Sequence, residues 1–189
     1  KGTTYLARSR GYLKSSVPVV IAMRDMLKLA RTTREVKALM PQMKINGRPV
    51  HDVRESIKLF SIFEADKPYV LSLNDSGRFT FEEAKNSNIR VTKIMHKRLV
   101  KGGEVQLNLH DGTNIISKEK VAIGDSLYLD NKNAIKNHIS LAKAKQVVII
   151  EGKYRGKKGK IVSAAPNHLT IQIDVGATTT LRQLHVLGL

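Results

Sequence analysis

VVIIEGKYRGKKGKIV, residues 147–162, places three glycines (Gly152, Gly156, Gly159) and five cations (Lys153, Arg155, Lys157, Lys158, Lys160) between two β-branched runs. The flanking runs read as strands, and the glycines read as a tight connection between them. A glycine adopts positive φ freely and lets another backbone come close. Five like charges on one short loop repel each other unless an anion compensates. A nucleic-acid strand carries a charge about every 3.4 Å, a density that suits such a loop. This stretch therefore points to a small β-structure with a phosphate-facing loop.

The rest of the chain is basic too. Its 189 residues hold 33 Lys and Arg against 16 Asp and Glu, a net charge of +17. Solubility alone is usually reached with a net charge of about 2–8, so a polyanionic partner is the expectation. The charge is uneven: 13 cations against 5 acids in residues 1–65, 14 against 9 in 66–145, and 6 against 2 in 146–189. Aromatic residues make up 5% and Trp is absent, which argues for several small aliphatic cores. With no cysteine, disulfides, thiol nucleophiles and Cys-based zinc sites are excluded. No apolar run approaches the ~20 residues of a membrane span.

Residues 1–16, KGTTYLARSRGYLKSS, show no period and read as a basic arm ordered by contact with a partner. In SVPVVIAMRDMLKLA, Pro18 is expected in the first turn of a helix with Ser16 as its cap. Val20, Met23, Leu27 and Ala30 then recur at helical spacing. Thr32 with Glu35 forms a capping-box pattern that opens a second helix, with Val36, Leu39 and Met40 on its apolar face and Pro41 at its end. KINGRPV follows, where Asn46-Gly47 suits a tight hairpin turn. Arg24, Lys28, Arg31, Arg34, Lys37, Lys44 and Arg48 fall where the apolar period does not need them.

From Ile57 onward short strands are expected: SIKLFSIFEA, YVLSL, RFTF, IRVTKIM, VQLNLH, TNIIS and SLYLD. The turn signals between them are Asp75-Ser76-Gly77, Lys101-Gly102-Gly103, Asp111-Gly112 and Gly124-Asp125. FEEAKNS reads as one short helical patch. QVVII, KIVSAA, HLTIQID and TTTLRQLHVLGL continue the strand-and-turn style to the end. Many short strands with regular turns argue for small barrels or sandwiches.

No catalytic constellation emerges. The six histidines are too far apart in sequence for a His-x-x-x-His zinc pair, and the phosphate-binding Gly-x-x-x-x-Gly-Lys motif is absent. Glu82 and Glu83 are adjacent and would point to different faces of their patch, and His110-Asp111 reads as part of a turn.

Three stretches carry a resemblance. LARTTREVKALMPQMKINGRPV (29–50) resembles the S4-like RNA-binding unit of two helices and a hairpin, and VVIIEGKYRGKKGKIV resembles a KOW motif. KGGEVQLNLHDGTNII (101–116) is similar to the central domain of the S4e family of the small ribosomal subunit, in which the three landmarks occur in this order. The resemblance implies an α+β, multi-domain chain: a basic N-terminal arm (1–16), an S4-like helix–helix–hairpin domain (17–65), a central small β-rich domain (66–145) and a small C-terminal β-barrel with a KOW motif (146–189). It also implies a structural, non-enzymatic protein of cytoplasmic ribosomes that binds ribosomal RNA and neighbouring small-subunit proteins, with no cofactor, no metal and no membrane. The RNA-binding positions implied are Arg24, Lys28, Arg31, Arg34, Lys37, Lys44, Arg48, Lys153, Arg155, Lys157, Lys158 and Lys160, with Gly152, Gly156 and Gly159 shaping the loop.

Two rival classes compete with it on sequence. S4-like units also accompany pseudouridine synthases, but these need a catalytic domain with a positioned Asp, and residues 66–145 are too short and too regular in strand and turn for one. KOW motifs also occur in factors that bind a polymerase or ribosome transiently.

Overall fold

A computed structural model describes residues 7–11, 15–84, 86–100, 102–141, 144, 146–165, 168–173 and 178–188. Most of the arm read at 1–16 lies outside them. The described chain is mostly β, with two short helices and four sheets. It groups into two compact units, Lys1–Ser72 with Phe79–Arg90, and Leu73–Arg78 with Val91–Leu189.

The first unit opens with β1 (Ser16–Pro18) and α1 (Val19–Ile21), which runs on as a π-helical turn, Ala22–Met26. Pro18 is the extended residue before the helix, at φ −72° and ψ 147°, rather than part of its first turn. Ser16 does not cap the helix. Its backbone pairs with Lys58 of β4 (Ser56–Lys58), and its hydroxyl lies 3.1 Å from that of Ser9. Strand pairing takes this residue because the extended backbone that proline enforces continues backwards from it.

α2 (Thr33–Leu39) starts as its sequence signals. The Thr32 hydroxyl accepts from the Glu35 amide at 3.3 Å, and the Glu35 carboxylate accepts from the Arg31 amide at 2.8 Å. That backbone bond, ahead of the Thr32 hydroxyl, holds the Glu35 carboxyl below its ordinary range. Pro41 closes the helix in a 3-10 turn, Met40–Gln42. β2 (Lys44–Ile45) and β3 (Arg48–Pro49) flank Asn46 and Gly47, both at positive φ, as the Asn-Gly signal requires. The Asn46 side chain then pins the next strand, accepting from the Ile62 amide at 2.9 Å.

β5 (Ile62–Glu64), β6 (Pro68–Leu73) and β7 (Phe79–Glu83) complete the sheet, in the order β3-β2-β5-β6-β7. The patch expected to be helical, FEEAKNS, instead supplies the end of β7; Lys85 lies outside the described residues. Phe79 and Phe81 alternate into the core, and Phe81 lies 6.1 Å from Phe63 and 6.4 Å from Tyr69, ring centre to ring centre. This aromatic packing outweighs local helical preference, as tertiary context routinely does for short strands. Glu82 and Glu83 are accordingly strand residues, and Glu83 meets Lys67 at 2.8 Å. β6 and β7, expected at the start of the central module, thus pair into the first unit's sheet. Val19, Val36, Met43, Ile57, Phe63 and Leu71 form the centre of its core.

The second unit holds two further sheets, each with its own core. β8 (Ile89–Leu99), β9 (Val105–Leu109), β10 (Asn114–Ser117), β11 (Ser126–Asp130) and β12 (Ile135–Ile139) make one, in the order β10-β9-β8-β11-β12. Ile94, Leu107, Leu127 and Leu129 are buried beneath it. β13 (Val147–Ile149), β14 (Lys158–Ala164), β15 (His168–Ile173), β16 (Thr178–Arg182) and β17 (Val186–Gly188) make the other, in the order β16-β15-β14-β13-β17 with every neighbouring pair antiparallel. Val147, Ile149, Leu169, Ile171 and Val186 fill its core.

Asp111 and Gly112 make a turn, as read. The Asp111 carboxylate accepts from the Thr113 amide at 2.8 Å, and His110 Nδ1 accepts from the Lys93 amide at 3.1 Å.

Candidate nucleic-acid interface

The glycine-basic loop joins β13 to β14 and is built from its own main chain. The Gly156 amide donates to Ile149 O at 2.8 Å, the Arg155 amide to Gly152 O at 3.2 Å, and the Lys157 amide to Tyr154 O at 3.1 Å. Gly152 and Gly156 take φ of 95° and 88°. Gly156 is also a contact point. A Cβ placed on it would lie 2.1 Å from the main-chain oxygen of Asn74 and 2.9 Å from Gly77 Cα, in the turn Leu73–Arg78 of the same unit. That turn is rigid in its own right, because Asn74 Oδ1 accepts from the amides of Ser76 and Arg78 at 3.1 and 2.9 Å. Gly159 needs no positive φ; it needs space, since a Cβ there would lie 2.5 Å from Gln172 O on β15.

Of the five loop cations, Lys153, Lys158 and Lys160 are exposed, while Arg155 and Lys157 are half-buried. Among the described residues, no carboxylate lies within 4 Å of the three exposed ammonium groups. Lys153 sits 5.6 Å from the Tyr154 ring centre, a cation–π contact that stiffens it without neutralising it. The neighbouring Glu151 faces His185, 3.8 Å away.

The cations of the first unit are less uniform. Arg24 is clamped by Asp25 through two hydrogen bonds of 2.9 and 3.0 Å, which raise its pKa and lower that of Asp25. Its charge is largely answered by its neighbour. Lys28, Arg31, Arg34 and Lys37 are exposed, Arg34 and Lys37 one turn apart on α2, and Lys28 in a left-handed turn at φ 58°. Lys44 and Arg48 are exposed on the hairpin, where Lys44 stands opposite Pro49 and Glu64 while Arg48 stands opposite Ile45. Directly opposed residues share a face and neighbours along a strand alternate, so these two cations project to opposite sides.

Sequence reading missed Lys93. It lies on β8 with no exposed surface, and its Nζ donates to the main-chain oxygens of Gln183 and Val186. Burial lowers its pKa to about 7. It fastens the central sheet to the segment that leads into β17. A lysine in a β-run gives no sequence signal of burial. Asp125 is a second such anchor: its buried carboxylate accepts from Ala122 N (2.9 Å), Leu141 N (3.0 Å) and pairs with His138 Nε2 (2.7 Å). Among the described residues, no group of three His, Asp or Glu side chains could hold a metal ion. No helix among them is long and apolar enough to cross a membrane.

The molecule thus falls in the class of small-module, β-rich, strongly basic proteins that carry exposed cations on a backbone-braced loop. Residues 65–135 match the model of the ribosomal family S4e. Small ribosomal subunit protein eS4 of Methanocella arvoryzae is 31% identical over 88% of this chain and 76% of its own length. The Methanospirillum hungatei protein of the same name is 34% identical over 81% of this chain and 68% of its own. The crystal structure of the 30S ribosomal protein S4e from Thermoplasma acidophilum is similar in fold, with a TM-score of 0.77 at 22% identity, covering 93% of this chain and 95% of that one. The chain belongs to the ribosomal S4e family.

Proposed function

We propose that this protein is a structural, non-enzymatic constituent of the small subunit of cytoplasmic ribosomes that binds ribosomal RNA, with neighbouring small-subunit proteins as further partners. On this reading, residues 17–65, completed by β6 and β7, form an S4-like RNA-docking module behind a basic arm (1–16), the remainder of 66–145 is a central β-module, and residues 146–189 are a KOW-bearing barrel. The relatives' names, those of small-subunit proteins, support the location. The observation that carries RNA binding is the loop at 152–160, where Lys153, Lys158 and Lys160 stand exposed without a carboxylate partner among the described residues. Arg31, Arg34 and Lys37 offer a second group of exposed cations. Double-stranded RNA is recognised mainly through backbone and shape, so charge neutralisation by fixed modules is the mechanism. Folded modules that each hold an RNA segment fix how those segments approach one another.

The test is sedimentation of extract through a high-salt sucrose gradient, following this protein. Recovery of one copy per small subunit is expected. Release to the top of the gradient, with the subunits intact, overturns the reading in favour of a transient factor.

A further inference from the structure

The glycine-basic loop runs directly into β14, and beyond it lies an open sheet face of different character. Along β15, Leu169, Ile171 and Ile173 are buried, while His168 and Gln172 are exposed and Thr170 is half-buried between them. Thr178, Thr180 and Arg182 of β16 are exposed in the same alternation, with Thr179 and Leu181 turned to the less accessible side. The register sets Lys160, Gln172 and Thr178 in one row across the three strands, Thr170 beside Thr180 in the next, and His168 beside Arg182 in the last. β13 and β17 are buried throughout, so the open face is three strands wide. With strands about 4.8 Å apart and residues about 3.4 Å apart, it measures roughly 10 Å by 14 Å.

The chemistry of this face is ordered. Lys160 marks one end, His168 and Arg182 mark the other, and short hydroxyls with one amide fill the middle. The described residues of the face include no carboxylate; Asp174, in the β15–β16 connection, lies outside them. A protein partner would be met by an apolar centre with a charged rim. Here the centre is hydroxylic, and the one large apolar side chain, Val162, stands beside the bulge that shifts the β14–β15 register between Ile161 and Ser163. The minor groove of an RNA duplex is wide and shallow, lined by 2′-hydroxyls and bordered by phosphates. A threonine hydroxyl both donates and accepts, as a 2′-hydroxyl does.

We propose that the solvent face of β14, β15 and β16 docks the minor groove of an RNA duplex, with Thr170, Gln172 and Thr180 meeting 2′-hydroxyls and Lys160 and Arg182 reaching the bordering phosphates. The inference rests on the RNA-binding reading above and extends it from the loop to a surface that distinguishes RNA from DNA.

The test uses the full chain and a fluorescent 16-base-pair RNA duplex, with a DNA duplex of the same sequence and a small-subunit rRNA transcript alongside. Wild type should favour the RNA duplex over DNA about fivefold or more. Thr170→Val with Thr180→Val keeps the β-branched shape and should bind RNA about five- to tenfold more weakly, leave DNA affinity unchanged and erase the preference. Lys160→Gln with Arg182→Gln should instead weaken both duplexes and flatten the salt dependence by roughly 0.7–0.9 logarithmic units per cation removed. A valine variant that keeps the RNA preference, or a wild type that binds the transcript without preferring the RNA duplex to DNA, overturns the docking face alone. A wild type that binds neither the transcript nor the duplex overturns the RNA-binding reading itself.

Discussion

Gly156→Ala tests whether the basic loop is held by the close approach of two main chains. Two effects act at this position and can be separated at others. At φ 88° an L-residue pays left-handed strain of about 1–2 kcal/mol. The new Cβ would also sit 2.1 Å from Asn74 O, a backbone atom that no rotamer change can move. Overpacking of this kind costs about 1–3 kcal/mol even where neighbours can shift. Together they give about 2–5 kcal/mol, whose upper end is among the largest effects of a single methyl.

Two other glycines isolate the parts. Gly152→Ala meets the same backbone strain at φ 95°, but its Cβ would lie 3.9 Å from its nearest neighbour, His185 Nδ1; the expected cost is about 1–2 kcal/mol. Gly159→Ala has no positive φ yet would press on Gln172 O at 2.5 Å and Ile171 Cγ2 at 2.7 Å, for about 1–3 kcal/mol. Urea denaturation ranks the three variants, and hydrogen exchange at the amides of residues 155–157 shows whether the loop opens. If Gly156→Ala is no more harmful than Gly152→Ala, the contact with the Asn74–Gly77 turn does not hold the loop, and the account of its rigidity is wrong.

The buried lysine gives a pH dependence. With its native pKa lowered to about 7, Lys93 is neutral in the folded chain and protonated in the unfolded one between about pH 7 and 10.5, so its contribution to stability rises with pH across that window, by about 1.4 kcal/mol per unit at most. The stability difference between wild type and Lys93→Met, followed by denaturant titration from pH 7 to 10, should grow with pH; a constant difference refutes it. Asp125→Ala removes the acceptor of two backbone amides and should cost about 2–4 kcal/mol in the same assay, with Asp125→Asn milder. Thr32→Ala should cost about 1 kcal/mol while Thr32→Ser stays near wild type, because serine supplies the same capping oxygen.

What could be read in advance was what local chemistry decides. Thr32 with Glu35 and Asn46-Gly47 announce a helix start and a turn because the groups that satisfy the backbone lie within a few residues. Contacts from far along the chain decide the rest. Phe79 and Phe81 become strand residues because a core formed with Phe63 receives them, and Ser16 joins β1 because β4 is there to pair with it. β12, IKNHI, has no fully buried residue, so no alternation betrays it. At the candidate interface, sequence counts cations but cannot tell which are answered. Arg24 is spent on Asp25, Arg155 and Lys157 are half-buried, and Lys153, Lys158 and Lys160 stay exposed. Nor could it separate Gly156, which needs both its φ and its space, from Gly159, which needs only space.

That division between neutral framework and free charge explains how one loop carries so many cations. Two unit charges about 7 Å apart in water repel by only about 0.6 kcal/mol, so each pair is a small cost, and three main-chain hydrogen bonds with one backbone-to-backbone contact offset the sum. Ion pairs brace other parts of the molecule, as Lys67 with Glu83 and Lys136 with Asp130 do. A loop braced that way would have to break its own pairs before receiving phosphates, and would loosen as salt rose. This loop takes its shape from neutral groups, so added salt should leave its amide protection almost unchanged while RNA affinity falls steeply. The shape is ready before the partner arrives, and the charge is left over for it.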